Sequence, residues 1–259
     1  MITPLVKYKI LREMKYISDQ QGIMERYLLE HEGWDIHLQK TRSFILNCVR
    51  KYAPRSILIM GSGWLLDVPL DELSSMCDQI NLADICHPVQ VEKKAIQHTN
   101  CNLITTDLTG GSVESTYTFV ETFKKTGKRE SLQKIPVNIP TLPEGIDYMI
   151  SLNLLNQLDI LLVDYIKKFI DYPETEINDF RKRIQESHLS ILEPGRSCLV
   201  TDDEELVFNN KHQLIERKKL IHAQLPVGIK KQRWKWVFDT SGIYNRDKIT
   251  EFYVVAIDI

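Results

Sequence analysis

The sequence predicts an α/β protein: a mostly parallel, seven-stranded sheet, preceded by helices and closed by an antiparallel pair of strands at its C-terminal edge. Three observations carry this. An apolar run, Ser56-Ile-Leu-Ile-Met60, ends in Gly61-Ser-Gly63. Two further runs, Ile80-Asn-Leu-Ala-Asp84 and Leu103-Ile-Thr-Thr-Asp107, each end in an aspartate. The steps 61 to 84 and 84 to 107 are both 23 residues, which is what a strand, a helix and two connections consume. A glycine loop and two carboxylates would then reach the same edge of one parallel sheet, where open α/β sheets bind nucleoside ligands.

Residues 5–30 carry apolar positions at helical spacing (Leu5, Ile10, Leu11, Met14, Ile17), and Trp34 to Tyr52 does so again with Ile36, Leu38, Phe44, Ile45, Cys48 and Val49. Ala53-Pro54-Arg55 ends that helix, because proline cannot continue it. The strand from Ser56 is apolar without alternation, as a strand buried on both faces should be. Pro69 to Met76, Pro88 to His98 and Val113 to Lys125 read as crossover helices, the first two opened by a proline suited to a first turn. Pro136, Pro140 and Pro143 mark an irregular stretch. A fourth strand, Asp147 to Leu152, is followed by helices at about 158–171 and 174–192, separated by Pro173. Glu193-Pro-Gly-Arg196 turns into a fifth strand, Ser197 to Thr201. Residues 211–231 are basic and lack a clear period, and strand-like runs at 233–238 and 252–259 flank the turn composition Asp239-Thr-Ser-Gly242. The expected division is an N-terminal helical segment, 1–52, packing on an α/β domain, 53–259.

With 259 residues, 43% hydrophobic and 26% charged, the chain has the composition of an ordinary globular protein and can bury a sizeable core. A net charge of −2 argues against a general nucleic-acid or anionic-membrane binder. No stretch approaches the roughly 18 apolar residues of a membrane span. The opening segment lacks a signal peptide's apolar core and cleavage site. The five cysteines include no Cys-x-x-Cys pair, so neither a disulfide framework nor a zinc ribbon is expected; no metal site is assigned, and the expected location is cytoplasmic.

Glycines at 61 and 63 allow a sharp turn and a close ligand approach. A dinucleotide fingerprint wants a third glycine where Leu66 stands, and no Walker lysine follows. That leaves a nucleoside without a large phosphate group, with Asp84 placed to accept from a ribose diol or, alternatively, to cap the region that follows. In order along the chain, Ile57-Leu-Ile-Met-Gly-Ser-Gly63, Asp84, Asp107-Leu108, Asp147 to Asn153 and Leu192-Glu-Pro-Gly195 resemble the class I S-adenosylmethionine-dependent methyltransferases, a Rossmann-like fold. More narrowly, Gly61 to Leu70 with Ser151 to Gln157 looks like a set of bacterial methyltransferase-like proteins of unassigned substrate. The resemblance spans roughly 34–259. It implies S-adenosylmethionine as cofactor, with Gly61, Ser62 and Gly63 along its methionine portion. Asp84, with Ile85 beside it, would hold the ribose. Asp107 and Leu108 would flank the adenine, and Asn153 would face the sulfonium. The family's acid two positions before the first glycine is Ile59 here, and its third glycine is Leu65. Asp67 can substitute for the missing acid or simply cap the helix after Pro69.

Methyl transfer needs an aligned nucleophile more than a dedicated catalytic group, and the sequence names no acceptor beyond something small or anionic. Trp34 and His37 can form a lid with His37 as base, or pack as core aromatic and solvated histidine. Asn153, Asn156 and Gln157 can shape the acceptor side or cap local backbone. The basic run from Lys211 to Lys235, with Trp234 and Trp236, can receive an anion or form a solvated hairpin whose tryptophans pack on the sheet. Besides a methyltransferase, the sequence allows a nucleoside-binding module that has lost transfer; a nicotinamide oxidoreductase is opposed by Leu66.

Overall fold

The computed structural model describes residues 6–259; Leu5 and the opening residues of the first expected helix lie outside them. The chain forms α1 (Tyr8–Glu13), α2 (Tyr16–Tyr52), β1 (Ser56–Met60), α3 (Leu70–Met76), β2 (Gln79–Asp84), α4 (Val89–Ala95), β3 (Cys101–Thr105) and α5 (Ser112–Thr126). After a short 3-10 turn come β4 (Tyr148–Leu152), α6 (Ile160–Lys167), α7 (Glu174–Leu189), β5 (Ser197–Phe208), β6 (Leu214–Lys219), β7 (Lys230–Asp239) and β8 (Ile249–Asp258). One sheet of eight strands runs in the order β3-β2-β1-β4-β5-β8-β7, with β6 paired to β5 off that path. β1 to β5 are parallel, and β8 and β7 are antiparallel additions.

Two expectations are corrected. The sheet has eight strands, not seven, because β6 forms in the basic stretch that shows no period. It pairs with the outer half of β5, Glu204 to Phe208, and both of its faces are exposed, so no alternation marks it. The two expected N-terminal helices, 5–30 and 34–52, divide elsewhere: α1 is short, and one helix of 37 residues follows, bent at Glu30 (φ −114°, ψ 17°), while Ile36 of the expected stripe is exposed. Glu30 accepts hydrogen bonds from Thr240 N, Thr240 Oγ1 and Ser241 N, so the β7–β8 turn clasps the bend.

Side chains alternate between two cores. Ile57, Ile59, Ile80, Leu82 and Ile150 point into the layer of α2, α3 and α4. Leu58, Met60, Leu199 and Val255 point into the layer of α5, α6 and α7. α1 belongs to the second layer through Ile10 and Met14, while α2 from Trp34 to Val49 belongs to the first. The stretch between them therefore crosses the carboxyl edge of the parallel strands.

α2 is fixed against the antiparallel edge. A Cβ on Gly33 would lie 3.0 Å from Val237 O, so glycine lets the helix lie close to β7. Trp34 stacks on Phe238 at 5.3 Å, meets Trp236 edge-on at 4.8 Å and donates from Nε1 to Phe238 O at 2.8 Å. Trp234 and Trp236 are buried and Lys235 is exposed. Four of the nearby basic residues are paired: Arg217 with Glu204, Arg233 with Asp203 and Glu204, Lys218 with Glu205, Lys235 with Glu251. Among the described residues no helix is long and apolar enough to cross a membrane. Trp34→Ala is expected to lower the unfolding free energy by roughly 3–5 kcal/mol, as for other buried tryptophans; urea denaturation followed by fluorescence measures it.

Candidate functional site

The strand order reverses between β1 and β4, the switch point at which such sheets open a crevice. Gly61 leaves β1 there with φ +85°. A Cβ at that position would come within 2.5 Å of Leu152 O and 2.9 Å of Leu154 Cβ, so the exits of β1 and β4 touch only because residue 61 has no side chain. Leu65 holds φ +59°, a left-handed conformation that favours glycine, while its side chain is buried. The backbone of a glycine-rich loop is thus kept with a leucine inside it. Asp84 ties the loop: its Oδ2 accepts from Gly63 N at 2.8 Å and its Oδ1 from Ile85 N at 2.7 Å. Each carboxylate oxygen keeps a further lone pair for a ligand hydroxyl. Burial pushes its carboxyl up, against these backbone hydrogen bonds.

The loop opens on a cavity of about 540 Å³. All nine expected cofactor residues, Gly61, Ser62, Gly63, Asp67, Asp84, Ile85, Asp107, Leu108 and Asn153, line it. Their employment differs. Asp107 is buried and accepts from Thr109 N, Thr109 Oγ1 and Val113 N, so it builds the loop that presents Leu108 and Thr109. Asp67 leaves the N-terminus of α3 without a side-chain cap; its Oδ2 accepts from Asn153 Nδ2 at 2.6 Å, and burial raises its carboxyl to about 6. Asn153 sits at φ +45°, which asparagine tolerates better than most residues. Its Oδ1, like Ser62 Oγ, is buried without a partner.

His37 is buried, not solvated, and stacks on Trp236 at 3.9 Å. Trp234 Nε1, which can only donate, points at His37 Nδ1 at 3.2 Å, so Nδ1 is the bare nitrogen and Nε2 carries the proton of the neutral ring. Nε2 stands 3.4 Å from Asn153 Nδ2, itself a donor that is engaged with Asp67, so with this tautomer no hydrogen bond joins the two. Burial drives the imidazole down to about 3. A neutral ring with a proton on its cavity side donates; it does not take a proton there, and the idea of His37 as base loses its chemistry.

Several lining residues were not foreseen, and Trp236, expected only beside the basic run, joins them. α2 from Tyr16 to Arg26 roofs the cavity. The roof is bonded to both β-strand exits: Gln20 Nε2 donates to Cys86 O at 3.0 Å, and Trp64 Nε1 donates to Gln20 O at 2.6 Å. Trp236, Phe238, Tyr244 and Phe252 form an aromatic wall. Asp202, at the end of the parallel part of β5, also faces in. Its position copies that of Asp84, an acid directly after an apolar strand, and this was the available signal. Among the described residues no group of three or more histidine, cysteine or acidic side chains is gathered for a metal.

This sheet, with five parallel strands in the order β3-β2-β1-β4-β5, an antiparallel closing pair and a glycine loop at the switch point, is the Rossmann-like class I methyltransferase fold. No protein-family model matches the sequence, and no curated protein does. Among solved structures, the chain is similar to DhpI in complex with SAH, at 12% identity, over 97% of this chain and 98% of that one, with a TM-score of 0.42. It is similar to the 1,6-didemethyltoxoflavin-N1-methyltransferase of Burkholderia thailandensis with bound 1,6-didemethyltoxoflavin and S-adenosylhomocysteine (11% identity, 100% and 94% covered, TM-score 0.39). The N-methyltransferase NodS from Bradyrhizobium japonicum with S-adenosyl-L-homocysteine shares 8% identity over 84% and 85% of the two chains, with a TM-score of 0.37. At such distances the likeness is one of fold, and function has to be argued from the cavity.

Gly61→Ala is expected to destabilise the fold by roughly 2–4 kcal/mol, since it adds left-handed strain to a clash with Leu152; urea unfolding measures it. A second expectation concerns pH. Burial and the neighbouring Asp203 raise Asp202 from 3.8 to about 8, with Asn156 and Asp67 also acting on it. The folded state holds this proton after the unfolded chain has lost it, so stability is full at low pH and falls as pH rises from about 4 to about 8. Asp202→Asn should match the parent near pH 4 and be more stable at pH 8 in urea titrations.

Proposed function

We propose that this chain is an S-adenosylmethionine-dependent methyltransferase acting on a small acceptor. The observation that carries the reading is the Gly61–Gly63 loop, tied to Asp84 and opening at the switch point on a roofed cavity that also receives Asn153. The fit to the cofactor is supported by two buried, unpartnered polar atoms of the cavity lining, Ser62 Oγ and Asn153 Oδ1. Gly61, Ser62 and Gly63 would line the methionine portion, and Asp84 with Ile85 the ribose. Leu108, carried on the loop that Asp107 builds, would lie against the adenine. Asn153, braced by Asp67, would stand at the reacting end.

The cofactor supplies an activated methyl group. What the chain's own residues contribute is alignment and the exclusion of water: α2 covers the cavity, His37 and Asn153 fix polar hydrogens at its inner end, and the aromatic wall holds the acceptor. A location in the cytoplasm belongs to the same reading.

A nucleoside-binding module without transfer is the second reading. Its support is Ile59, wholly buried in β1 where the family carries an acid. Cofactor binding without methylation of any compound in a broad acceptor panel would favour it.

Isothermal titration calorimetry with S-adenosylmethionine and S-adenosylhomocysteine is expected to give micromolar binding, and Asp84→Ala to weaken it at least tenfold, about 1.4 kcal/mol. Absence of both heat and thermal shift with either compound would sink the proposal.

A further inference from the structure

Asp202 is not needed by any of the cofactor residues. It is the last residue of β5 before the β5–β8 register shifts: Asp202 pairs with Val254 and Glu204 with Tyr253, and its side chain lines the cavity. It is 3% exposed, and its Oδ1 has no hydrogen-bond partner. Asn156 offers it one hydrogen bond, but the charges acting on it, Asp203 and Asp67, are both negative. A buried carboxyl left with an empty lone pair and two acidic neighbours is costly unless something in the cavity donates to it.

The charges of the whole cavity point the same way. Its lining acids are Asp19, Asp67, Asp84, Asp107, Asp164 and Asp202; its one fixed cation is Arg26. His37 is neutral. Asp84 and Asp107 are satisfied by backbone N–H groups. Arg26 is already spread over aromatic faces, 4.8 Å from Phe238 and 5.0 Å from Tyr244. Trp236 and Phe252 are buried in the same wall and give it an apolar surface, one face of the Trp236 ring being covered by His37. An anionic occupant would meet carboxylates on most sides, and the basic residues of β6 and β7 do not line the cavity to compensate.

Resting on the methyltransferase reading, we infer that the methyl acceptor is an amine, a small compound whose N–H groups are held by Asp202 and whose apolar body lies along Trp236 and Phe252. The lone pair of the neutral amine forms the new N–CH3 bond as the S–CH3 bond of the cofactor breaks, S-adenosylhomocysteine leaves as the neutral thioether, and the proton released from the nitrogen passes to the Asp202 carboxylate. This replaces the anionic acceptor that the basic run in the sequence suggested.

The test uses the full chain saturated with S-adenosylhomocysteine. Thermal shift and calorimetry are run with benzylamine, phenethylamine and tryptamine against the carboxylates benzoate, phenylacetate and indoleacetate. The amines should bind and raise the melting midpoint, and the carboxylates should not. Measured above pH 8, where the Asp202 carboxyl is ionised, Asp202→Asn, which keeps the side-chain shape, should weaken amine binding at least about 10-fold, the value of a charge-assisted hydrogen bond. It should leave S-adenosylhomocysteine affinity within about 3-fold, since it touches none of the cofactor residues. Preference for the carboxylates, equal response to both series, no response to either, or unchanged amine affinity in Asp202→Asn overturns the inference. If S-adenosylhomocysteine itself fails to bind, the cofactor reading has failed; if it binds and the amine arm fails, only the amine assignment falls.

Discussion

The packing of α2 on β7 is the constraint on which the rest of the site depends. Trp34 and His37, one turn apart, wedge between Trp234, Trp236 and Phe238. That wedge does three things at once. It covers the hydrophobic face of the antiparallel edge, which would otherwise be a large exposed apolar surface. It selects the His37 tautomer through the Trp234 indole. It also fixes the direction in which the first half of the helix leaves the sheet, across the carboxyl ends of the strands. With α1 anchored in the opposite layer, the connecting turns of α2 have only one route, and it passes over the glycine loop.

The interior of the crevice is governed by burial. Asp67 and Asp202 are carboxyls that desolvation drives toward the neutral form, and His37 is an imidazole driven the same way. Asp84 and Asp107 escape much of that penalty because backbone N–H groups meet them. The two kinds of acid divide the labour: those at β2 and after β3 shape loops, and those after β1 and β5 remain poised for whatever enters. Cys86, with its thiol pushed up to about 12 by burial and hydrogen-bonded to Gln20, stays a structural contact with the roof.

The sheet order and the residues at its edge were legible because each depends on short-range chemistry. β1 is a continuous apolar run, and Gly61, Asp84 and Asp107 follow their strands within two residues. The wall of the cavity was not legible. Trp236 and Phe252 come from antiparallel strands whose alternation says only that one face is buried, not that this face borders a crevice. β6 escaped because its side chains lie in solvent on both faces and carry no period. The length of α2 escaped because Glu30 is held by residues 210 and 211 positions away, Thr240 and Ser241, and no local pattern encodes that grip. Leu65 is the reverse case: the residue departs from the glycine pattern while the backbone obeys it, since conformation is enforced by the loop's surroundings and not by the residue alone.

The bend at Glu30 also sets how the crevice can be entered. The roof, Tyr16 to Arg26, and the wedge, Trp34 to Val49, belong to one helix, whose interior leaves helical dihedrals at Glu30 alone among the described residues. Lifting the roof therefore pivots there. The carboxylate at the pivot is gripped by Thr240 and Ser241, and Asp239 beside them holds the amide of Tyr244 at 2.6 Å. Tyr244 is a panel of the aromatic wall. The roof and the wall are thus both tied to the β7–β8 turn, the one through Glu30 and the other through Tyr244.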